Sequence, residues 1–268
     1  MSLVGCIWQV VSYTLTVPLY LIMHLLSSPA ASATAAAGAD AIVADAADID
    51  LVTTSVVLGL IVPTMLMGLP TPDVVSAATH YNLIALWQPF PLLHSIAFYT
   101  LRFVLPSSGR PTATKEKAHL KSVASVYKFA LAFAIASQLA GLAVALTPAA
   151  LVPSQWSEPF EQVDLWTLLP PLSFASYPSV TAAGETLRDA LAPLTMHFLK
   201  YDIYGGNTAL LAWAFYLYVG SGPSASLLNG LLKTVVWTVV GGPIAAAAVL
   251  LWARDEVVLS QPQSVKRK

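Results

Sequence analysis

Charge is scarce in this chain. Of its 268 residues only 10% are Asp, Glu, Lys or Arg, while 56% are hydrophobic. An ordinary soluble domain carries about 25% charged residues. One globular core could hold this length, but too few charges remain to cover its surface in water. The mean hydropathy of +0.69 agrees, so the lipid bilayer is the expected solvent. Cysteine is nearly absent. Cys6 stands alone, which excludes a disulfide framework and any cysteine-based metal site. A net charge of −1 excludes the basic field that nucleic acid requires, so no nucleic-acid partner is expected.

Several chemistries lack their motifs. The chain has no P-loop, no dinucleotide glycine fingerprint and no His-Glu-x-x-His. It has no Asp-rich pair of the kind that holds diphosphate through Mg²⁺; Asp48-Ile-Asp50, in an Ala-rich stretch, is a weak lookalike. No His-rich cluster appears. The expectation is no metal and no cofactor, so any enzyme here works by side-chain acid–base chemistry.

What is present is long apolar stretches. A membrane span needs about 20 mostly apolar residues. Val4–Leu26, Leu51–Leu69, Leu83–Leu105, Val123–Leu146 and Leu231–Trp252 qualify. Gly206–Gly220 is shorter. Leu165–Gly184 is uncharged but interrupted by Pro170, Pro171 and Pro178. The first stretch has no basic leader and is too long for a signal peptide, so it reads as a retained span. The segment 106–121, with Arg110, Lys115, Lys117 and Lys121, is expected in the cytoplasm by the positive-inside rule. The tail 253–268, with Arg254, Lys266, Arg267 and Lys268, is expected there too. Counting Leu165–Gly184 as a span satisfies both; a re-entrant segment is the alternative. The expected fold class is therefore all-α: one polytopic transmembrane bundle over residues 1–268, about seven spans, N-terminus lumenal and C-terminus cytoplasmic. Residues 28–50 read as a flexible Ala-rich loop on composition.

Polar groups inside spans are costly and usually face a partner or a cavity. Gln9, Tyr13, Thr16, Tyr20 and His24 recur at helical spacing and form one stripe. It reads either as a pocket lining or as hydrogen bonds that hold helices together. Gln88, Ser95, Tyr99 and Arg102 share a face near Pro89 and Pro91, which can kink the helix. Arg102 is expected to snorkel to the interface. Trp87 suits an interfacial aromatic belt or a pocket. Asp202 falls in phase with Trp213 and Tyr216. It reads either as an acid facing aromatic rings or as an Asp favoured at a helix N-terminus. Glu185, Arg188 and Asp189 read as headgroup-level charges, and Arg254, Asp255 and Glu256 as an ordinary span-end cluster. Gly205–Gly206 and Gly241–Gly242 suit close helix packing.

Four stretches together carry a family resemblance: Pro18-Leu-Tyr-Leu-Ile-Met-His-Leu-Leu-Ser-Ser-Pro29, Ala85-Leu-Trp-Gln-Pro-Phe-Pro91, Phe198-Leu-Lys-Tyr-Asp202, and Gly242-Pro-Ile followed by Leu-Leu-Trp-Ala-Arg-Asp-Glu256. In order along most of the chain, they resemble the membrane-bound terpene cyclases of fungal meroterpenoid and indole-diterpenoid pathways, of the ascofuranone and ascochlorin type. The resemblance implies a prenylated small-molecule substrate whose terminal double bond has been epoxidised. An acid protonates the epoxide, a carbocation forms, and the chain closes onto it. Such chemistry needs a protonated carboxyl, aromatic faces to stabilise cations and a water-poor pocket. On this reading Asp202 is the general acid, assisted by Tyr201 or Tyr204, with Glu185 in reserve. Trp87, Trp213 and Tyr216 stabilise the cation, while Tyr20, His24 and Gln88 position the substrate or accept the final proton. The endoplasmic reticulum membrane is the implied location, with other enzymes of the same pathway as associates. Two other readings fit the same stripes: an exporter of a pathway product, and a scaffold that gathers enzymes.

Overall fold

A computed structural model describes residues 2–34, 36, 38–105, 115–153, 164–165 and 187–260. Among these residues the chain is helical, with short 3-10 turns and no β-strand. The helices are α1 (Ser2–Val10), α2 (Tyr13–Ser27), α3 (Ala46–Met67), α4 (Ala77–Trp87), α5 (Phe90–Val104), α6 (Lys115–Leu146), α7 (Leu187–Gly220) and α8 (Leu227–Ser260).

Three described stretches are long and apolar enough to cross a membrane: Ala46–Met67, His119–Leu146 and Leu227–Leu259. Tyr13–Ser27 and Phe90–Val104 are apolar but shorter. Among the described residues these do not clearly make seven spans, and each departure from the expected stretches has a local cause. The first expected span, Val4–Leu26, breaks at Ser12, whose φ of 155° is incompatible with helix. The third, Leu83–Leu105, breaks at Gln88–Pro89, where proline supplies no backbone N–H. Gly206–Gly220 is only the end of the 34-residue α7, whose middle carries Lys200, Asp202 and Asn207. Leu165–Gly184 lies outside the described residues apart from Leu165.

The last span, Leu231–Trp252, is divided at Gly241 and Gly242, and Gly242 has φ 75°. The two legs, 227–240 and 243–260, fold back on each other. Lys233 and Glu256 line one cavity, although a straight helix would hold them about 34 Å apart at 1.5 Å per residue. The legs also differ in what covers them. On the first, Leu228 and Val239 are 76% and 71% exposed. Large side chains left open along one helix face suit hydrocarbon rather than water. On the second, Ala245, Ala246, Ala247 and Leu250 are buried. That inner leg packs on Ala214 and Tyr218 of α7 and on Leu131 and Ala134 of α6.

The Ala-rich stretch is more ordered than its composition implies. It contains 3-10 turns at Pro29–Ser32 and Ala39–Ala41. Its end, from Ala46, is already α3. Asp45 caps that helix, its carboxylate accepting the Ala47 N–H at 3.0 Å. Asp48, in the first turn of α3, pairs with Arg102 of α5 at 3.1 Å, so Arg102 has a protein partner.

Candidate active site

The break at Ser12 is explained by a residue 190 positions away. The carboxylate of Asp202 sits at the open N-terminus of α2. Its Oδ1 accepts the Thr14 N–H at 2.9 Å and the Ser12 hydroxyl, and its Oδ2 accepts the Tyr13 N–H at 3.1 Å. A helix start leaves N–H groups unpartnered and carries partial positive charge, so an acid from another helix is stabilising there. The Thr14 hydroxyl returns the contact, donating to the Asp202 carbonyl at 2.7 Å. Gly205 and Gly206 permit this approach: a Cβ on Gly205 would collide with the Thr14 side chain, and one on Gly206 with the Tyr13 ring. These glycines serve close helix packing, as their sequence suggests.

Asp202 also faces a cavity of about 560 Å³, which it lines with Gln9, Tyr13, Trp87, Gln88 and Asn207 among others. Here the fold brings together Asp202, Trp87 and Gln88, from segments that are far apart in the chain. Trp87 is fixed by donating its Nε1–H to Thr64 Oγ1 at 2.8 Å. The hydroxyl of Tyr13 donates to Asn207 Oδ1 at 3.1 Å. Gln88 ends α4 at the proline break, so the kink itself turns it toward this space.

A second cavity of about 390 Å³ adjoins the first, sharing Tyr13 and Phe90 with it. Its walls are mostly hydrocarbon, including Val17, Leu21, Val56, Leu60 and Leu210, with Tyr20 also present. The few polar groups include His94 and Ser95. His94 Nε2 lies 3.1 Å from Ser55 Oγ, and Ser55 is fully buried. The two are pressed together because Gly59, in the π-turn Val57–Ile61 of α3, lies directly against the His94 backbone. π-turns recur at functional positions.

The other expected site residues lie elsewhere. Asp202 and Trp213 are in phase but eleven residues apart, about 16 Å along α7. Trp213 instead meets His24 edge-on, with ring centroids 5.2 Å apart. Tyr216 is 65% exposed and lines a separate cavity with Ala33 and Phe215. The ring of Tyr201 packs on His197 at 4.7 Å, and Tyr204 lines neither of the two adjoining cavities. Glu185 lies outside the described residues.

Beyond His24, at the far end of α2, the sequence reading missed a buried polar cluster. Arg254 and Asp255 are only 5% and 9% exposed, not solvated span-end charges. They pair at 3.1 Å. Asp255 also accepts the Tyr127 hydroxyl at 2.7 Å, and Arg254 donates to the Ala30 carbonyl. Tyr127 stacks on Trp252. One signal was available: Val257, Val258 and Leu259 continue the apolar pattern past the charges.

A helical chain with membrane-length apolar stretches, and a hydrocarbon-lined chamber opening beside an acid, defines a class suited to greasy ligands. Within that class the chain belongs to the CtvD-domain family, whose pattern matches residues 1–259. It is 28% identical to terpene cyclase ascI of Acremonium egyptiacum over 261 residues, covering 95% of this chain and 62% of that protein. It is 25% identical to terpene cyclase atmA of Aspergillus flavus over 205 residues, covering 75% of this chain and 52% of that protein. Terpene cyclase ctvD of Aspergillus terreus is 27% identical over 269 residues, at 95% and 67% coverage. The chain thus spans between half and two thirds of the length of these curated relatives. The resemblance carried by the four short motifs holds. No solved structure matches the chain.

Proposed function

We propose that this protein is a membrane-bound terpene cyclase that isomerises an epoxidised prenyl chain on an aromatic or indole precursor. The observation that carries this reading is the adjacency of the Asp202 cavity to a hydrocarbon-lined chamber, both within the usual range of ligand pockets, about 300–1,000 Å³. The relatives' names support the cyclase class.

The chemistry runs in a fixed order. A protonated Asp202 gives its proton to the epoxide oxygen. The C–O bond breaks toward oxygen, leaving a hydroxyl and a carbocation. The electron pair of an internal double bond then attacks the cation and closes a ring. Loss of a proton ends the sequence, so atoms in and out are equal. Asp202 is placed for the first step by lining the open cavity, and its hydrogen bonds leave room for the proton. A carboxyl has about four lone-pair sites. Oδ2 accepts one bond and keeps a second site on which a proton can sit, while Oδ1 holds the helix end. Trp87 and Tyr13 present ring faces that favour a cation, and Gln88 and Asn207 can orient the oxygenated end. The hydrocarbon chamber takes the chain and excludes water that would quench the cation early. No metal or cofactor enters this scheme. Placement in the endoplasmic reticulum membrane rests on the family resemblance, and the orientation, N-terminus lumenal and C-terminus cytoplasmic, on the distribution of basic residues.

The test uses membranes from a host expressing the chain, supplied with terminal epoxides of prenylated phenols and indoles. A new product of unchanged mass, absent from control membranes and lost in Asp202→Asn, is expected. Absence of such a product across the panel overturns the reading. Passage of an unaltered compound across sealed vesicles would point to export instead.

A further inference from the structure

We infer that His94 is the base that ends the reaction, held for that role by Ser55. This rests on the cyclase reading and extends it to the adjoining chamber. Two hydrogen bonds set the histidine's tautomer. The Ser55 hydroxyl donates to the Val52 carbonyl at 2.8 Å, so its one proton is committed. Its oxygen must then accept from His94 Nε2 at 3.1 Å. With the proton on Nε2, Nδ1 carries the lone pair. His94 is therefore a fixed imidazole with a basic nitrogen, lining a chamber whose other walls are mostly hydrocarbon.

The placement matches what the last step needs. The acid lies in one cavity and the base in the adjoining one, separated by the shared Tyr13 and Phe90. A prenyl chain with its epoxide at Asp202 extends into the space that His94 lines. Nδ1 takes the proton from the carbon next to the final cation. The electrons of that C–H bond become the new double bond and neutralise the charge. One proton has left Asp202 and one has reached His94, and exchange through solvent after product release restores both. Among the described residues no carboxylate lines the His94 chamber, so His94 is the strongest base among those on its walls.

The decisive experiment compares wild type, His94→Gln and His94→Ala in membranes with the same epoxide panel, reading the ratio of unchanged-mass product to products that have gained water. Wild type is expected to give the isomer. His94→Gln should still consume epoxide but shift that ratio at least ten-fold toward hydrated alcohols, and added imidazole should move it back in His94→Ala. Ser55→Ala should shift it the same way, less far, because it frees the tautomer while keeping the ring. If wild type converts the epoxide and all three variants give its product ratio, His94 is not the base and the cyclase reading stands. If wild type converts nothing, both inferences fall. Should the His94 variants lose the wild-type unfolding transition, the Ser55→Ala ratio decides, and an unchanged ratio there overturns the proposal.

Discussion

The two ends of α2 solve the problem of a polar group in an apolar bundle in opposite ways. At its start, Asp202 satisfies the helix and still faces an open cavity. Beyond its far end, Arg254, Asp255 and Tyr127 satisfy one another and fill the space between helices. Both carboxylates accept several hydrogen bonds. What separates them is the cavity: Asp202 lines one of the cavities described above and Asp255 lines none of them. On the proposed function, bonding beside open space, rather than bonding alone, is what marks the reactive acid.

The largest expected effect tests that difference directly. Asp202→Asn keeps an oxygen for the α2 N–H groups but has no acidic proton. Turnover should fall by roughly 10²–10⁴, the usual scale of general acid catalysis, with a smaller loss of thermal stability, because the amide NH2 cannot accept the hydrogen bond that one carboxylate oxygen now takes from α2. Asp255→Leu should do the converse. Removing one partner of a buried pair costs about 3–5 kcal/mol, which a lower unfolding temperature in detergent would register. If Asp255→Asn abolished turnover and left unfolding unchanged, the contrast between the two ends would collapse. Gly206→Ala should disturb both properties at once, because its Cβ must displace the Tyr13 ring. Overpacking of this kind costs about 1–3 kcal/mol, and turnover should drop as Asp202 is levered from α2. Arg102→Gln is the mild control. Its pair with Asp48 is half exposed, so stability should change by less than about 1 kcal/mol and turnover should hold.

The same comparison explains what could be read from the sequence. Helical class followed from the length of the apolar stretches. The break at Pro89 announced itself, because proline carries its own local constraint. The break at Ser12 did not, since nothing around it disfavours helix; its cause is a carboxylate from α7. Gly241-Gly242-Pro243 was visible but read as close packing, when a positive φ there reverses the chain. The convergence of Trp87, Gln88 and Asp202 was legible because each sits in a short motif. The pairing of His94 with Ser55 was not, because it depends on a π-turn in α3 that no local pattern announces. Arg254 and Asp255 looked solvated because charge at the end of a span usually is.

The contact between Asp202 and the start of α2 also sets an order of events in time. A chain emerging from a ribosome at about 5–20 residues per second presents its second helix long before the acid that completes it. Between residue 13 and residue 202 lie roughly ten to forty seconds of synthesis at that pace. Throughout that interval the N–H groups of Tyr13 and Thr14 must be served by water, lipid headgroups or another protein. The N-terminal helix is made among the first and finished among the last, so the cavity at its end closes only when most of the chain has been made.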